Sequence, residues 1–452
     1  MKNLSRILII SLSLGLSGTS YGKVSQQEAD KLGKELTPLG AERQGNPEGT
    51  IPPWTGGITT LPEGYRTGAP HIDPFSADIP EFKIDSSNIN LYKSNLTEGQ
   101  QQLVRQYAPD YYLNVYPSRR SASYPARIYA TLKKNAVESE LLENGNGVKN
   151  TMATSPFPVP GNGLEILWNH ILRYRGEQAF FRSSFVTPTI EGRYRPIRVE
   201  YSYYFAYSEP GITLKEIDNK IFYLRTKILS PTKLAGTLNL VHETLDQVHS
   251  PRKAWRYQTG ERRLRRAPAM EYSTDLPNSS SLRTIDQLDM YNGAPNQYHW
   301  TVTGKKEIYI PYNAYKLDSK ELEIKDIIRP RHIDQSLARY ELHRVWVIEG
   351  ILRKGLRHIY HKRRFFLDED SWQIVLAEEY DKNNTLWRVS EAHTINYYEK
   401  PLLWSTVEVT YDLKSGRYFA QGLDNEENPV DFSPGFKRRD FSTSAARRAA
   451  KR

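Results

Sequence analysis

Cysteine is absent from all 452 residues of the sequence. Disulfide bonds, thiolate metal sites and cysteine nucleophiles are therefore excluded. A chain of this length that has no disulfides must be stabilised by its buried core, and it is long enough to bury one. After the first 22 residues, no stretch is apolar enough to supply the roughly 20 residues that a membrane-spanning helix needs.

The sequence also lacks the motifs of the common enzyme classes: it has no nucleophile elbow, zincin, P-loop or complete dinucleotide-binding motif. His358 and His361 are three residues apart, but on a predicted strand this odd spacing puts them on opposite faces, which disfavours a metal site. Asp368, Glu369 and Asp370 could form an acid–base set, although in a hairpin turn such residues are usually solvated. We therefore predict a protein that is not an enzyme and that uses neither a cofactor nor a metal.

The chain begins with a short charged and apolar stretch. Lys2 and Arg6 precede an apolar run over residues 7–16. Small residues occupy the minus-three and minus-one positions of a cleavage site after Gly22. This order is typical of a secretory signal peptide. No cysteine follows the run, so lipid attachment there is excluded. We predict a soluble protein that is exported to the periplasm of a Gram-negative bacterium and cleaved near Gly22.

Charge and aromatic content indicate both the surroundings and the fold. The net charge of +10 favours anionic neighbours. For an exported protein these are lipid head groups or acidic glycans rather than nucleic acid. The 30 tyrosines and 8 tryptophans favour strands and half-wet surfaces. The composition therefore favours β-structure.

Alternating side chains predict strands through the second half of the chain. From Ile197 to Tyr207 the odd-numbered positions are apolar or aromatic, and residues 222–228 repeat the pattern. Further alternating stretches, separated by short polar turns, contain Val345, Trp372, Trp387 and Val407. No helical pattern lies between them, so we predict an antiparallel meander rather than a parallel sheet.

The first part of the chain predicts shorter elements. Helical patterns occupy residues 26–36, 97–107 and 164–174, and a helix or turn is predicted at 136–144. Residues 111–116 and 127–132 are predicted strands. With the later strands, these elements place the chain in a mainly β class within α+β.

The arginines after Trp255 form the first candidate ligand-binding cluster. Guanidinium groups bind phosphates and carboxylates through two hydrogen bonds. We predict that an anionic head group contacts Trp255, Arg262, Arg263, Arg265 and Arg266. The alternatives are a solvated sheet edge and internal salt bridges.

Arg344 and Trp346 form a second candidate. Strand alternation places both on one face among apolar side chains, where a charge needs a partner. Arg344 is therefore either half of a structural ion pair, which we favour, or an anion anchor inside a cavity.

Longer motifs are spread over almost the whole chain after residue 35. They occupy residues 36–42, 49–57, 168–170, 173–176, 260–268, 304–307, 311–313, 339–349, 357–358, 362–365 and 368–372. These motifs resemble the domain-of-unknown-function 1329 family of exported Gram-negative proteins, described as similar to outer-membrane lipoprotein-sorting proteins. The resemblance implies the fold of the carriers LolA and LolB, a large antiparallel incomplete β-barrel wrapped over a few short helices.

With this resemblance the chain divides into four parts. They are a signal peptide (1–22), an extended Pro/Gly-rich wrapping segment (23–96), an open β-barrel domain with inserted helices (97–430) and a basic C-terminal tail (431–452). For the tail, a frayed and solvated segment is favoured over a contact with a membrane surface or a partner. The family resemblance provides no catalytic residue.

The resemblance also implies a function, because carriers of that fold hold acyl chains in an apolar concavity. Family members are often encoded beside exporters of the resistance-nodulation-division class. We therefore predict a periplasmic binding or carrier protein for a lipid or other hydrophobic molecule, acting with such an exporter or an outer-membrane partner. The alternatives are a non-enzymatic envelope assembly factor that binds protein or glycan without a lipid cavity, and a hydrolase of envelope polymers.

Overall fold

One large sheet organises the structure, a computed structural model that describes residues 23–247, 249–267 and 273–451. The predicted signal peptide lies outside these residues. The strands are β1 (Phe82–Ile84), β2 (Leu113–Tyr116), β3 (Glu140–Leu141), β4 (Val148–Lys149), β5 (Gln178–Val186), β6 (Ile197–Tyr204), β7 (Lys220–Ser230), β8 (Leu238–Thr244), β9 (Lys253–Gln258), β10 (Arg263–Arg266), β11 (Tyr298–Pro311), β12 (Tyr340–Leu352), β13 (Lys362–Asp368), β14 (Ile374–Tyr380), β15 (Leu386–Tyr397), β16 (Leu402–Asp412) and β17 (Arg417–Leu423).

The described helices are short. They are α1 (Gln26–Ala29), α2 (Glu98–Gln106), α3 (Ala126–Glu138), α4 (Gly163–Leu172), α5 (Leu214–Ile217), α6 (Tyr315–Asp318), α7 (Ile324–Ile327) and α8 (Thr443–Lys451). Short stretches of 3-10 helix occur at Ile89–Asn95, Glu143–Gly145, Ala206–Ser208, Ile285–Gln287, Pro295–Gln297 and Arg438–Phe441. None of these described helices combines the length and apolarity that crossing a bilayer requires.

Two antiparallel meanders form most of the 15-stranded sheet, which also includes β1, β2 and β11. Strands β5–β10 form one and β12–β17 the other, and β17 joins them by pairing with β5. β11 pairs with β12, and β12 also makes a short parallel pairing with β2. In the described chain the end strands β1 and β10 do not pair with each other, so the sheet remains open. The predicted mainly β fold, an incomplete antiparallel barrel, is confirmed.

Helices and the N-terminal segment fill the half of the sheet around β12–β15. Every residue of β14 is buried, which shows that this strand is covered on both faces. The first turn of α2 touches it directly, since the Gly99 amide donates to the Glu378 carboxylate at 2.6 Å. Trp168 of α4 is fully buried and donates its indole hydrogen to the Gly145 carbonyl at 2.9 Å. The main hydrophobic core therefore lies between these helices and the sheet.

The predicted helices at 97–107 and 164–174 are confirmed as α2 and α4. Thr97 caps α2 reciprocally: its hydroxyl accepts from the Gln100 amide at 3.1 Å, and the Gln100 side chain accepts from the Thr97 amide at 3.0 Å. Asn162 caps α4 with its side-chain oxygen, which accepts from the Glu165 amide at 3.0 Å. Local capping chemistry thus fixes where both helices begin.

Two local predictions in this region are wrong. Residues 127–132 lie in helix α3 rather than in a strand, because Ile128, Leu132 and Ala136 recur every four residues and bury one helical face. The helix predicted at 26–36 ends at Ala29. The chain then turns, and Gly33 adopts a φ of 81°, a left-handed conformation that favours glycine.

The C-terminal residues are a packed helix rather than the solvated tail that the sequence favoured. Helix α8 lies on the outer face of β8–β10, where Ala446 and Ala450 pack with Leu238 and Leu240. The alanines are one helical turn apart, so together they form a narrow apolar stripe that lets the helix approach the sheet closely. The basic side chains Arg447 and Arg448 remain exposed.

His71 attaches the irregular N-terminal segment to the sheet. Its two ring nitrogens lie 3.3 Å from Asp318 and 3.2 Å from Glu399, and the ring stacks on Tyr65. Burial by itself lowers the pKa of His71, but the hydrogen bonds to Asp318 and Glu399 outweigh burial and raise the pKa to about 9.

We predict that this histidine makes folding stability depend on pH. Since its folded pKa lies above the unfolded value near 6.5, the stabilisation is complete below pH 6.5 and is lost as pH rises through 9. Its size is about 3 kcal/mol at 1.36 kcal/mol per pKa unit. Urea unfolding at pH 6 and at pH 9.5 measures how much free energy of unfolding is lost between these pH values. This loss should be smaller in His71→Asn than in the wild type by this amount. The same substitution at the exposed His299 should leave the loss unchanged, and an unchanged loss in His71→Asn would refute the assignment.

Candidate ligand-binding cavity

A cavity lies on the concave face of the sheet, between β5–β9, β16, β17 and the segment from residue 276 to 292. The space that the centre of a water molecule can reach is about 220 Å³. Its apolar lining comprises Phe181, Phe185, Val199, Tyr201, Tyr203, Leu224, Ile228, Val241, Leu276, Pro277, Ile285, Leu288, Tyr397, Trp404 and Val430. This half of the sheet thus leaves space where the half around β12–β15 is filled.

Alternate residues of the strands line the cavity wall, as the pattern in the sequence predicts. Val199, Tyr201 and Tyr203 of β6 line the cavity, and so do the alternate residues 224, 226 and 228 of β7. The intervening Arg198 makes an ion pair on the other face, with Glu427. The period of two that identified these strands therefore also identified the side chains that face the cavity.

Aromatic rings stiffen this wall. Phe181 and Tyr201 are directly opposite each other on β5 and β6, and their rings stack with centroids 4.8 Å apart. Trp404 of β16 meets Phe181 edge to face at 5.9 Å. Such pairs contribute about 0.5–1.5 kcal/mol beyond their burial, so the wall is rigid without closing the space beside it.

Charged groups share the lining with these rings, and most of them are paired. Arg173 and Arg175 both bind Asp289, Arg252 binds Glu243, and Arg283 binds Glu408. Burial raises the pKa of Asp289, but the adjacent arginines outweigh it and lower the pKa to about 2. Glu408 behaves differently, because burial raises its pKa more than Arg283 lowers it.

Three arginines of the lining retain unused hydrogen-bond donors. Within the described part of the chain, no hydrogen-bond partner exists for the buried Nε atoms of Arg175 and Arg256 or for Nη1 of Arg283. Arg175 and Arg283 have acidic partners through other atoms. The cavity lining therefore combines an apolar wall with arginines whose hydrogen-bonding capacity the described residues do not fully use.

The predicted head-group cluster lies beside this cavity but does not line it. Arg262, in the turn before β10, and three arginines of β10 itself are exposed, and Arg265 pairs with Glu261 at 3.0 Å. Arg262, Arg263 and Arg265 border a shallow surface depression together with Arg447 and Lys451 of α8. The structure therefore brings these cations together with the C-terminal helix.

Trp255 faces away from the cavity, whereas its neighbour Arg256 faces into it. Trp255 is half-buried on the outer face, with its ring 4.7 Å from that of His242. Arg256 lies on the cavity face of the same strand, opposite Asn239 of β8. The sequence analysis missed Arg256, although alternation along β9, with tryptophan and tyrosine on one side, was the signal that could have found it.

Arg344 and Trp346, the second candidate, lie at another place in the fold. The Arg344 guanidinium contacts Glu369 at 3.2 Å and donates to the Gln44 carbonyl at 2.9 Å. Trp346 stacks on Trp372 with centroids 6.3 Å apart. Neither residue lines the cavity. The ion pair with Glu369 holds Arg344, and its hydrogen bond to Gln44 ties the N-terminal segment to the sheet.

The acidic turn between β13 and β14 is buried, so its interpretation as a solvated turn is wrong. Asp368, Glu369 and Asp370 are exposed by 0%, 2% and 4% of their surface. The reason is long-range cover: Arg120 donates twice to Asp370, at 2.7 Å each, and also to the Glu42 carbonyl at 2.8 Å. The N-terminal segment and Arg120 thus close over this turn.

His343, Asp368 and Asp370 are the group that comes closest to a metal site in the described residues, with one ligand atom from each within 4.8 Å of the others. However, Arg120 occupies both oxygens of Asp370, and Nε2 of His343 lies 3.2 Å from Glu341. Burial, followed by the nearby Asp370, raises the pKa of Asp368 to about 7. The arrangement fits an ion-pair network better than a cation site, because a guanidinium already occupies the place of the cation.

Sequence and fold are both similar to those of known proteins. The family model of DUF1329, a protein family of unknown function, matches residues 83–447. An uncharacterized protein of Pseudomonas aeruginosa is 44% identical over 440 residues, which cover 97% of this chain and 96% of that protein.

Two solved structures are also similar. A putative outer membrane lipoprotein-sorting protein domain from Vibrio parahaemolyticus has a TM-score of 0.44 and 14% identity, over 63% of this chain and 98% of that one. A DUF1329 family protein from Desulfovibrio piger has a TM-score of 0.42 and 12% identity, over 60% and 92%.

We predict that Arg120→Ala destabilises the fold strongly, because it leaves Asp370 buried without its partner. Breaking a buried pair on one side costs about 3–5 kcal/mol. Arg119→Ala is the matched control, since Arg119 is 44% exposed and its pair with Asp78 is worth only about 0–1 kcal/mol. Urea unfolding of both variants at pH 7 measures the difference, and equal losses would contradict the role given to Arg120.

Proposed function

Because this chain belongs to the DUF1329 family and has an open, largely apolar cavity, we propose that it is a binding or carrier protein for a lipid or another hydrophobic molecule. The observation that carries the proposal is the aromatic and aliphatic wall of β5–β7. That wall borders the cavity, although Phe185, Val199 and Ile228 also pack with Leu276 and Leu282. An apolar chain placed there leaves water and gains roughly 0.8 kcal/mol per buried methylene.

The division of the sheet into two halves supports this proposal. Around β12–β15, helices α2 and α4 cover the sheet and build the core, as an ordinary globular protein requires. Around β5–β9 the segment 276–292 faces the wall, together with Trp404 of β16 and Val430. Open curved sheets with an apolar face either pack a core or enclose a ligand. In this protein the half of the sheet around β12–β15 packs a core, and the half around β5–β9 has room to enclose a ligand.

We place this activity in the periplasm and with an envelope partner. The charged and apolar first 22 residues favour export. The exposed arginines of β10, together with Arg447 and Lys451, offer a cationic surface to an anionic head group or an acidic partner. An exporter of the resistance-nodulation-division class or an outer-membrane protein remains the predicted partner, and Trp255 with the arginines 262–266 remains a predicted contact region.

Filling the cavity should abolish binding. Thr226 lies at the middle of the wall on β7, and Thr226→Trp places an indole in the space that the ligand needs. We expect the affinity for a neutral fluorescent hydrophobic probe to fall at least about tenfold, the effect of losing roughly 1.4 kcal/mol. Fluorescence titration measures this, and native mass spectrometry of the wild-type protein from periplasmic extracts should show a bound small molecule.

Thr301→Trp is the matched control, because Thr301 is an exposed strand residue outside the cavity lining. It should bind the probe as the wild type does, and melting curves should show both variants folded. If the wild type neither binds the probe nor carries a ligand, the proposal fails. Capture of an envelope protein by ligand-free wild type would then favour the assembly-factor alternative.

A further inference from the structure

Arg256 differs from the other charged groups of the cavity. Each of Glu243, Asp289 and Glu408 already has an arginine partner, and Asp424 lies 3.2 Å from Lys320. In the part of the chain that the structure describes, Arg256 makes no ion pair, and its buried Nε has no acceptor. In these described residues, each acidic side chain of the cavity lining thus has a basic partner, and Arg256 is an arginine of the lining without an acidic one.

We propose that the ligand of this cavity is an amphiphile with a single anionic head group, and that Arg256 binds this group. The inference rests on the proposed function and specifies its ligand. A guanidinium presents parallel donors that match two oxygens of one carboxylate or phosphate. A cation that is partly removed from water without a partner is costly, and an anionic ligand removes that cost.

The position of Arg256 suits a head group rather than a chain end. It lies on β9, the last strand of the cavity wall, next to the exposed edge strand β10. Arg265 is directly opposite it across the β9–β10 pairing, so the two cations share one face. Arg265 already has an acidic partner in Glu261 at 3.0 Å, so Arg256 is the cation of this facing pair that remains without one in the described residues.

The rest of the cavity suits the apolar part of such a molecule. Inward from Arg256 lie Asn239 on β8, Thr226 on β7 and Tyr201 on β6, and the apolar Val241, Leu224 and Ile228 line the cavity beside this row. Arg175 and Arg283 also have unused donors, but each has an acidic partner through other atoms. The wall therefore runs from one unpaired cation at the edge to an apolar interior, which is the polarity of an amphiphile.

The test compares ligands that differ only in their head group. A 16-carbon fatty acid, the alkyl phosphate and the fatty alcohol of the same chain length are each titrated against a bound neutral fluorescent probe. We expect the wild type to bind at least one of the two anions about tenfold more tightly than the alcohol. The carboxylate and phosphate arms distinguish which head group is preferred.

Arg256→Gln should reduce this preference to about twofold or less without changing the affinity for the alcohol. Arg256→Lys keeps the charge but not the paired donors, and should retain part of the preference. Arg357→Gln is the control, because Arg357 is an exposed arginine outside the cavity lining, and its loss should leave the preference intact. Arg266→Gln tests the alternative that the anion binds at the outer edge, since Arg266 is opposite Trp255 in the strand register, on the other face of the sheet. Melting curves of all four variants confirm that they are folded.

The outcomes separate the inference from the function on which it rests. If the alcohol and the anions bind the wild type equally well, the cavity is a hydrophobic site and the inference is overturned while the proposed function stands. If Arg266→Gln removes the preference and Arg256→Gln does not, the anion binds at the outer edge and the inference is also overturned. If no ligand displaces the probe and the probe itself does not bind, the proposed function fails first.

Discussion

Each charge buried in this protein needs an opposite charge, and this requirement shapes much of the structure outside the sheet. Arg120 meets Asp370 under the N-terminal segment and donates to that segment's carbonyl groups at the same time. His71 meets Asp318 and Glu399 from the same segment. Residues 23–81 have little regular structure of their own, so buried ion pairs and hydrogen bonds to the sheet hold them in place.

Short-range patterns predicted the parts of the fold that depend on short-range causes. The alternation at 197–207 predicted β6 and its cavity face, and Thr97 predicted the start of α2. Residues 127–132 were assigned to a strand because six residues of mixed polarity fit either period. Only the longer spacing of Ile128, Leu132 and Ala136 reveals the helix.

Burial by distant residues is what the sequence could not show. The acidic run at 368–370 has the composition of a solvated turn, yet it is covered by chain that lies about 250 residues earlier, at Arg120. The basic C-terminal residues look like a solvated tail, yet α8 packs its alanines on β8. At the site itself, a shift of one position separates Trp255 from Arg256, because the register of the strand decides which of two neighbours faces inward.

Five arginines line the cavity, and burying charge beside a hydrophobic molecule is costly unless each charge is paired, as most of these are. Ion pairs formed within the wall, such as Arg283 with Glu408, need nothing from the ligand and leave the apolar surface available. Arg256 is different, because any molecule that displaces water from it must replace the lost hydrogen bonds. A neutral ligand does not replace the hydrogen bonds that Arg256 loses with the water, whereas an anionic ligand does. A single unpaired cation can therefore select between ligands that the apolar wall alone would accept equally, through a penalty on the wrong ligand rather than an added attraction for the right one.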